Sequence, residues 1–242
     1  MKINKIHKFI LNVIIATALF LSSCKKDEPV ERIIERGTLT DVEGSTYNTV
    51  KIGNQWWMAE NLKTSQFNDG TPIQYVGIDE SDIIWADATV ATYTYINDSL
   101  FGYLYSSSVM SDAKNVAPIG WHIPTDEDWK ILEIEIGMSN AESNQTGWRG
   151  SVEGEKLTSK NSRGWPQGGL LFGTDEYGFK ALPGGCRIFD GKTNTNTNTA
   201  FWWTDSPNGS EYWYRYIDLN ERRIFRQHTY PQYGMSIRCV KD

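Results

Sequence analysis

One stretch of this chain carries a complete helix signature, and the rest is broken into short strands by turns. Thr125 stands at an N-cap position and Asp128 follows three residues later, a capping box with Asp in place of the usual Glu. Asp126 and Glu127 suit the positive end of the helix dipole. Trp129, Leu132 and Ile136 then fall at i, i+3 and i+7, a core-facing stripe, and Gly137 ends the run. Trp129 is therefore read as core. A second, shorter helix is expected over residues 152–159.

The remaining segments read as strands and turns. Residues 47–61 predict a hairpin: Val50 and Ile52 alternate with polar residues, Gly53-Asn54 makes the turn, and Gln55-Trp56-Trp57-Met58 returns. Asn68-Asp69-Gly70-Thr71-Pro72 predicts another turn, residues 77–99 a loop with a short helix, and residues 101–105 a strand. Further strands are expected over 177–182, 201–204, 212–219, 222–228 and 236–240. The alternating Asn and Thr of residues 193–199 cannot bury anything and predict an exposed loop. No repeat or composition shift divides the chain, so a single domain is expected over 41–242.

The N-terminus is a different kind of segment. Lys2, Lys5 and Lys8 precede an apolar run from Phe9 to Leu21 of about 13 residues, where a membrane-spanning helix needs roughly 20. Leu21-Ser22-Ser23-Cys24 follows and resembles a bacterial lipobox, with Cys24 as the lipidated residue. Residues 1–23 are thus expected to be a signal peptide. Residues 24–40 are expected to be the lipidated Cys and a charged tether, beginning Lys25-Lys26-Asp27-Glu28. The expected location is the outer membrane, lipid-anchored and facing the cell surface, with the lipid on Cys24 as the membrane contact.

Charge and cysteine usage narrow the functions. Without the three leader lysines, the 24 basic residues of the 242-residue chain fall to 21 against 30 acidic ones, a net −9. Phosphate contacts need clustered Lys and Arg, so a nucleic-acid partner is not expected. His122 and His228 alone remain beyond the leader, which argues against His-based metal sites and most His-based catalysis. Cys186 and Cys239 are an even pair in an oxidising compartment, and a disulfide between them is expected. It would close a loop of about 53 residues, worth roughly 3–4 kcal/mol; two buried free thiols are the alternative.

The chemistry-bearing motifs are few. Gly-x-Ser-x-Gly, His-Glu-x-x-His and a phosphate loop are missing from the sequence. Trp203-Thr204-Asp205-Ser206-Pro207-Asn208 holds parts of a lectin calcium site in the wrong order and lacks the Glu, so no metal and no cofactor are expected. Aromatic side chains are the remaining handle, because sugars and peptides bind by stacking and packing on them. Trp202, Trp203, Trp213 and Tyr214, with Arg215 beside them, lie in adjacent expected strands and are the candidate ligand-binding residues. In an alternating strand one of each adjacent pair faces out. The plainer reading is that they fill the core of a small sheet.

Several segments, in order, resemble the Fibrobacter succinogenes major paralogous domain. They are Val50-Lys51-Ile52-Gly53-Asn54-Gln55-Trp56-Trp57-Met58-Ala59-Glu60-Asn61-Leu62, Asn68-Asp69-Gly70-Thr71-Pro72-Ile73 and Gly102-Tyr103-Leu104-Tyr105. Then come Ala117-Pro118-Ile119-Gly120-Trp121-His122-Ile123-Pro124 and Gly178-Phe179-Lys180-Ala181-Leu182-Pro183-Gly184-Gly185. Phe201-Trp202-Trp203-Thr204 and Ser236-Ile237-Arg238-Cys239-Val240 complete the series. The resemblance implies an α+β fold, distantly C-type-lectin-like: one or two helices packed on small twisted antiparallel sheets, with long loops. Cys186 departs from the aromatic usual at that place, which makes a bridge to Cys239 particular to this chain. The family carries no assigned activity, so no catalytic residue is transferred. The expected function is that of a surface-anchored, non-enzymatic binding module for a glycan or a surface protein. An envelope enzyme acting on polysaccharide is the alternative.

Overall fold

The computed structural model describes residues 32–77, 84–85, 87, 89–96, 98–160, 163–188, 193–194 and 198–242. The leader, Cys24 and the first part of the expected tether, up to residue 31, lie outside these residues. A compact unit spans Ile34–Asp242. No helix among the described residues is long and apolar enough to cross a membrane.

The chain alternates short elements. In order they are β1 (Arg36–Thr40), β2 (Thr46–Ile52), β3 (Gln55–Met58), β4 (Gln74–Tyr75), β5 (Thr92–Thr94), α1 (Asp98–Phe101), β6 (Leu104–Ser106), α2 (Ser107–Ser111) and β7 (Trp121–His122). Next come α3 (Asp126–Glu135), α4 (Asn140–Ser143), β8 (Gly147–Arg149), α5 (Glu153–Leu157), β9 (Cys186–Arg187) and β10 (Thr193–Asn194). The chain closes with β11 (Thr199–Asn208), β12 (Glu211–Asp218), β13 (Ile224–Thr229), β14 (Gly234–Met235) and β15 (Val240–Lys241). The fold class is α+β. Three sheets run in the orders β1-β2-β3-β15-β7, β10-β9-β14-β6-β5-β4 and β11-β12-β13-β8.

The local predictions hold where the signal is local. Thr125 caps α3 with both arms of the capping box formed, and Trp129, Leu132 and Ile136 are fully buried. The β2–β3 hairpin pairs Val50 with Trp57 across the Gly53-Asn54 turn. The short helix expected at 152–159 is α5. Several expectations need correction. Residues 236–239 lie between the short strands β14 and β15 rather than in one strand, and the expected 193–199 loop contributes Thr193–Asn194 to β10 and the buried Thr199 to the start of β11. Residues 36–40, assigned to the tether, form β1 and pair along their whole length with β2, so the folded unit starts before residue 41. Residues 177–182 are not a strand, because Gly178 and Lys180 stand at φ +74° and +54°, left-handed values that no strand contains.

Two hydrophobic clusters form the core. One packs Trp57, Trp129, Phe179 and Trp202 as neighbouring rings with centroids 5.2–6.0 Å apart, on a bed of Val50, Leu132, Ile217 and Val240. The other gathers Tyr47, Met58, Tyr105, Val109, Trp203, Met235 and Ile237. Asn61 ties them together. Its Oδ1 accepts from Trp202 Nε1 at 2.9 Å and from Arg238 Nε and Nη2 at 3.0 and 2.8 Å. Its Nδ2 donates to the Phe101 carbonyl at 2.8 Å. Gly102 is required beside it: its φ is +71°, and a Cβ there would meet the Leu62 carbonyl at 2.8 Å.

Candidate functional site

The four-stranded sheet carries the expected ligand-binding residues, and its register sorts them by face. Trp202 pairs with Arg215, and Arg215 with Arg226, on the side that meets α3. There Glu133 accepts a fork from Arg149 Nη1 and Nη2 at 2.7 and 2.8 Å and a third bond from Arg215 Nε at 2.6 Å. Asp126 accepts from Arg226 Nε and Nη2 at 2.8 and 2.7 Å and from Arg215 Nη1 at 2.8 Å. Burial works against the Asp126 carboxylate, but the Arg226 and Arg215 guanidinia outweigh it and hold its pKa well below the usual range. Such a network fastens helix to sheet and leaves no open coordination for a ligand.

Three of the five expected residues are therefore structural. Trp202 and Trp203 are 1% and 0% exposed. Alternation does send them to opposite faces, but both faces are covered at that point. Trp202 joins the ring cluster under α3, and Trp203 donates Nε1 to the Tyr105 carbonyl at 2.8 Å. Arg215 is buried between Asp126 and Glu133. Trp213 is half-buried, with the Arg226 guanidinium 3.7 Å from its ring centroid and His228 edge-on at 5.0 Å. Tyr214 lines a cavity.

That cavity, about 320 Å³, lies on the other face of the sheet. Phe201, Tyr216, Phe225 and Trp148 stand in one cross-strand row over β11, β12, β13 and β8, all half-buried. Phe201 and Tyr216 stack with centroids 4.5 Å apart and planes 6° from parallel. Trp148 lies 5.0 Å from both Tyr216 and Phe225. Tyr214, Tyr233, Thr229 and Ile188 complete the wall, with Cys186 and Met235 at its base. The Tyr216 hydroxyl donates to Asp218 at 2.5 Å, while the Tyr214 hydroxyl makes no hydrogen bond within the described residues. Burial pushes the Tyr214 phenol up to about 12, so it remains a neutral donor. The combination of ring faces with a few hydroxyls is that of a recognition surface.

A second aromatic surface was not foreseen from sequence. Tyr75, Tyr93, Tyr95 and Tyr103 form a ladder on one face of β4, β5 and β6, with neighbouring centroids 4.8–5.5 Å apart. The signal was present as Tyr93-Thr94-Tyr95 and Tyr103-Leu104-Tyr105, each alternating with period two.

The cysteines do not form the expected bridge. Both are free and buried. Cys186 sits in β9 under the aromatic cavity, whereas Cys239 precedes β15 and donates its backbone N–H to Met58 Sδ at 3.2 Å. Cys186 belongs to the six-stranded sheet, and Cys239 lies just ahead of β15 of the five-stranded one. Burial pushes the Cys186 thiol up to about 12, which makes it inert as a nucleophile. Among the described residues no group of three or more His, Cys, Asp or Glu side chains could hold a metal ion.

Comparison with known families decides the lineage. The model of the Fibrobacter succinogenes major domain matches residues 50–241. The chain belongs to that family. The match runs from the last residues of β2 to β15 and includes the whole four-stranded sheet of this Fibrobacter succinogenes major domain. No curated protein and no solved structure matches the chain.

Proposed function

We propose that this Fibrobacter succinogenes major domain is a surface-anchored lipoprotein that binds a glycan or a protein ligand and has no enzymatic role. The observation that carries this reading is the aromatic row of Phe201, Tyr216, Phe225 and Trp148, half-buried beside a cavity of about 320 Å³. Ring faces spaced along a sheet offer flat apolar area, and the Tyr214 hydroxyl offers a hydrogen bond at the rim. The anchor rests on the Leu21-Ser22-Ser23-Cys24 box after a short apolar run. The C-type-lectin-like description draws support from β15, which lies between β3 and β7 and brings the last strand back to the β2–β3 hairpin.

A glycan array, followed by a pull-down from surface extracts, tests the reading. A ligand should emerge whose binding weakens by about 1–3 kcal/mol on Phe225→Ala or Tyr214→Ala, the range for removing one large apolar contact. Cys24→Ala should release the protein from membranes. Turnover of a polysaccharide, abolished by one carboxylate substitution, would replace this reading with an enzyme.

A further inference from the structure

A second cavity, about 260 Å³, lies away from the aromatic row and shares no lining residue with it. Its lining is Leu100, Ser159, Lys160, Arg163, Asp175, Lys180 and Leu182. Three cations therefore meet in one small hollow of a chain that is acidic as a whole. None of the three has an ion-pair partner among the described residues. Two further cations stand close by. The Arg36 guanidinium lies against Gly178, and both Arg36 and the buried Arg238 act on Asp175. Arg238 is held by Asn61 and by the Phe179 carbonyl, with no carboxylate in ion-pairing reach among the described residues.

The backbone is strained at the same place. Of the three non-glycine residues with positive φ among those described, two line this cavity: Asp175 at +47° and Lys180 at +54°. Asp175 Oδ1 accepts the Lys180 backbone N–H at 2.9 Å and fixes the loop in that form. A non-glycine residue in the left-handed region is costly to hold there, and such residues gather at ligand clamps. Here the cost aims a lysine into a hollow already lined by Lys160 and Arg163.

We infer that this cavity binds a hydroxylated carboxylate about the size of one hexuronate, the acidic-sugar class. The three cations take the carboxylate, with Arg163 able to do so through two parallel bonds. The second oxygen of Asp175 is open to sugar hydroxyls. Leu100 and Leu182 face the C–H side of the ring. An inorganic phosphate or sulfate fits less well, because it has no use for the apolar walls and meets the Asp175 carboxylate with like charge. The site stands apart from the proposed aromatic one, so either can fail alone.

The test is an amide-shift titration of the full folded domain with glucuronate, galacturonate, glucose and inorganic sulfate. A uronate should shift the amides of Leu100, Lys180 and Leu182, and should do so less at high salt. Lys180→Asn removes the charge while keeping a residue that tolerates the left-handed backbone. It and Arg163→Gln should each weaken the uronate about tenfold, the loss expected for one charge-assisted hydrogen bond. Lys160→Gln, at an exposed position, checks the same point where folding is not at stake. Tyr214→Ala should change nothing here. The inference is overturned if no uronate binds, if glucose or sulfate binds as tightly, or if all three charge variants bind like the parent.

Discussion

The two faces of the four-stranded sheet are built from adjacent residues of the same strands, yet they hold opposite roles. On the inner face Trp202 packs under α3, and Arg215 and Arg226 are locked to it through Asp126 and Glu133. On the outer face Phe201, Tyr216 and Phe225 touch mainly one another. Burial alone does not separate the faces, since Trp203 on the outer side is fully buried while Trp213 on the inner side is half-buried. The separation lies in what the partners are: charged atoms of another element inside, rings of the same sheet outside. A sheet whose one face is fixed so firmly can leave the other open without losing its shape.

The strongest way to break this contrast is Glu133→Gln. It leaves Arg149 buried without its carboxylate and Arg215 with Asp126 alone, so a loss of about 3–5 kcal/mol is expected, read from urea unfolding. A loss below about 1 kcal/mol, the level of an exposed pair, would show that the inner face is not held by this network.

Next comes a matched pair of ring deletions. Trp202→Ala should cost about 3–5 kcal/mol, as for a fully buried large ring. Phe225→Ala should cost only about 1 kcal/mol, because its ring is half-buried and part of its area stays in water. Equal losses would mean that the outer face is core as well, and would remove the case for a recognition surface there.

Much of the inner face was written locally and could be read. The Thr125–Asp128 capping box and the Trp129, Leu132, Ile136 stripe lie within three turns, so α3 and its buried side follow from short-range rules. The β2–β3 hairpin follows likewise from alternation around Gly53-Asn54. What could not be read was which neighbours cover a strand. Alternation places Trp202 and Trp203 on opposite faces, but their common burial depends on α3 over one side and on Ser236 and Tyr105 at the other. Arg215 looked like a free charge because its partners lie 82 and 89 residues away. Residues 177–182 alternate like a strand, and nothing in that pattern reveals that Lys180 turns left-handed.

The same helix also carries an exposed tether, which sharpens the contrast with its buried one. His122 contacts Asp128 at 3.3 Å and Asp242 at 2.7 Å, and its side chain is 39% exposed. The hydrogen bond to Asp128 raises its pKa above the ordinary 6.5, with burial opposing and Asp242 adding to the rise. On the other side, burial disfavours the Asp128 carboxylate, but bonds from His122 and Thr125 win and bring its pKa down to about 2. The histidine's contribution is complete below 6.5 and is lost as pH rises through the raised value. The aspartate's contribution is present above 3.8 and is lost as pH falls through about 2. Solvent screening keeps the histidine's share to a few tenths of a kcal/mol. Unfolding midpoints of the parent and His122→Gln should differ slightly at about pH 5.5 and converge as pH rises past the histidine's raised value. A gap that widens with rising pH would contradict the pairing.

The smallest expected effect is none at all, and it concerns Cys186 and Cys239. A disulfide closing that loop would contribute roughly 3–4 kcal/mol, and adding reductant would then lower the unfolding midpoint sharply. Two free thiols, one in β9 beneath the outer aromatic face and one beside Met58 ahead of β15, predict no change with reductant. They also predict slow labelling of the native protein, because burial pushes Cys186 up to about 12 and raises Cys239 as well, so little thiolate exists at neutral pH. In denaturant without reductant both should alkylate fully, as mass spectrometry would record. A linked peptide pair in the unreduced digest would instead tie β9 to the C-terminal segment. The outer face would then be fastened from below by a covalent bond, and its independence from the rest of the fold would be lost.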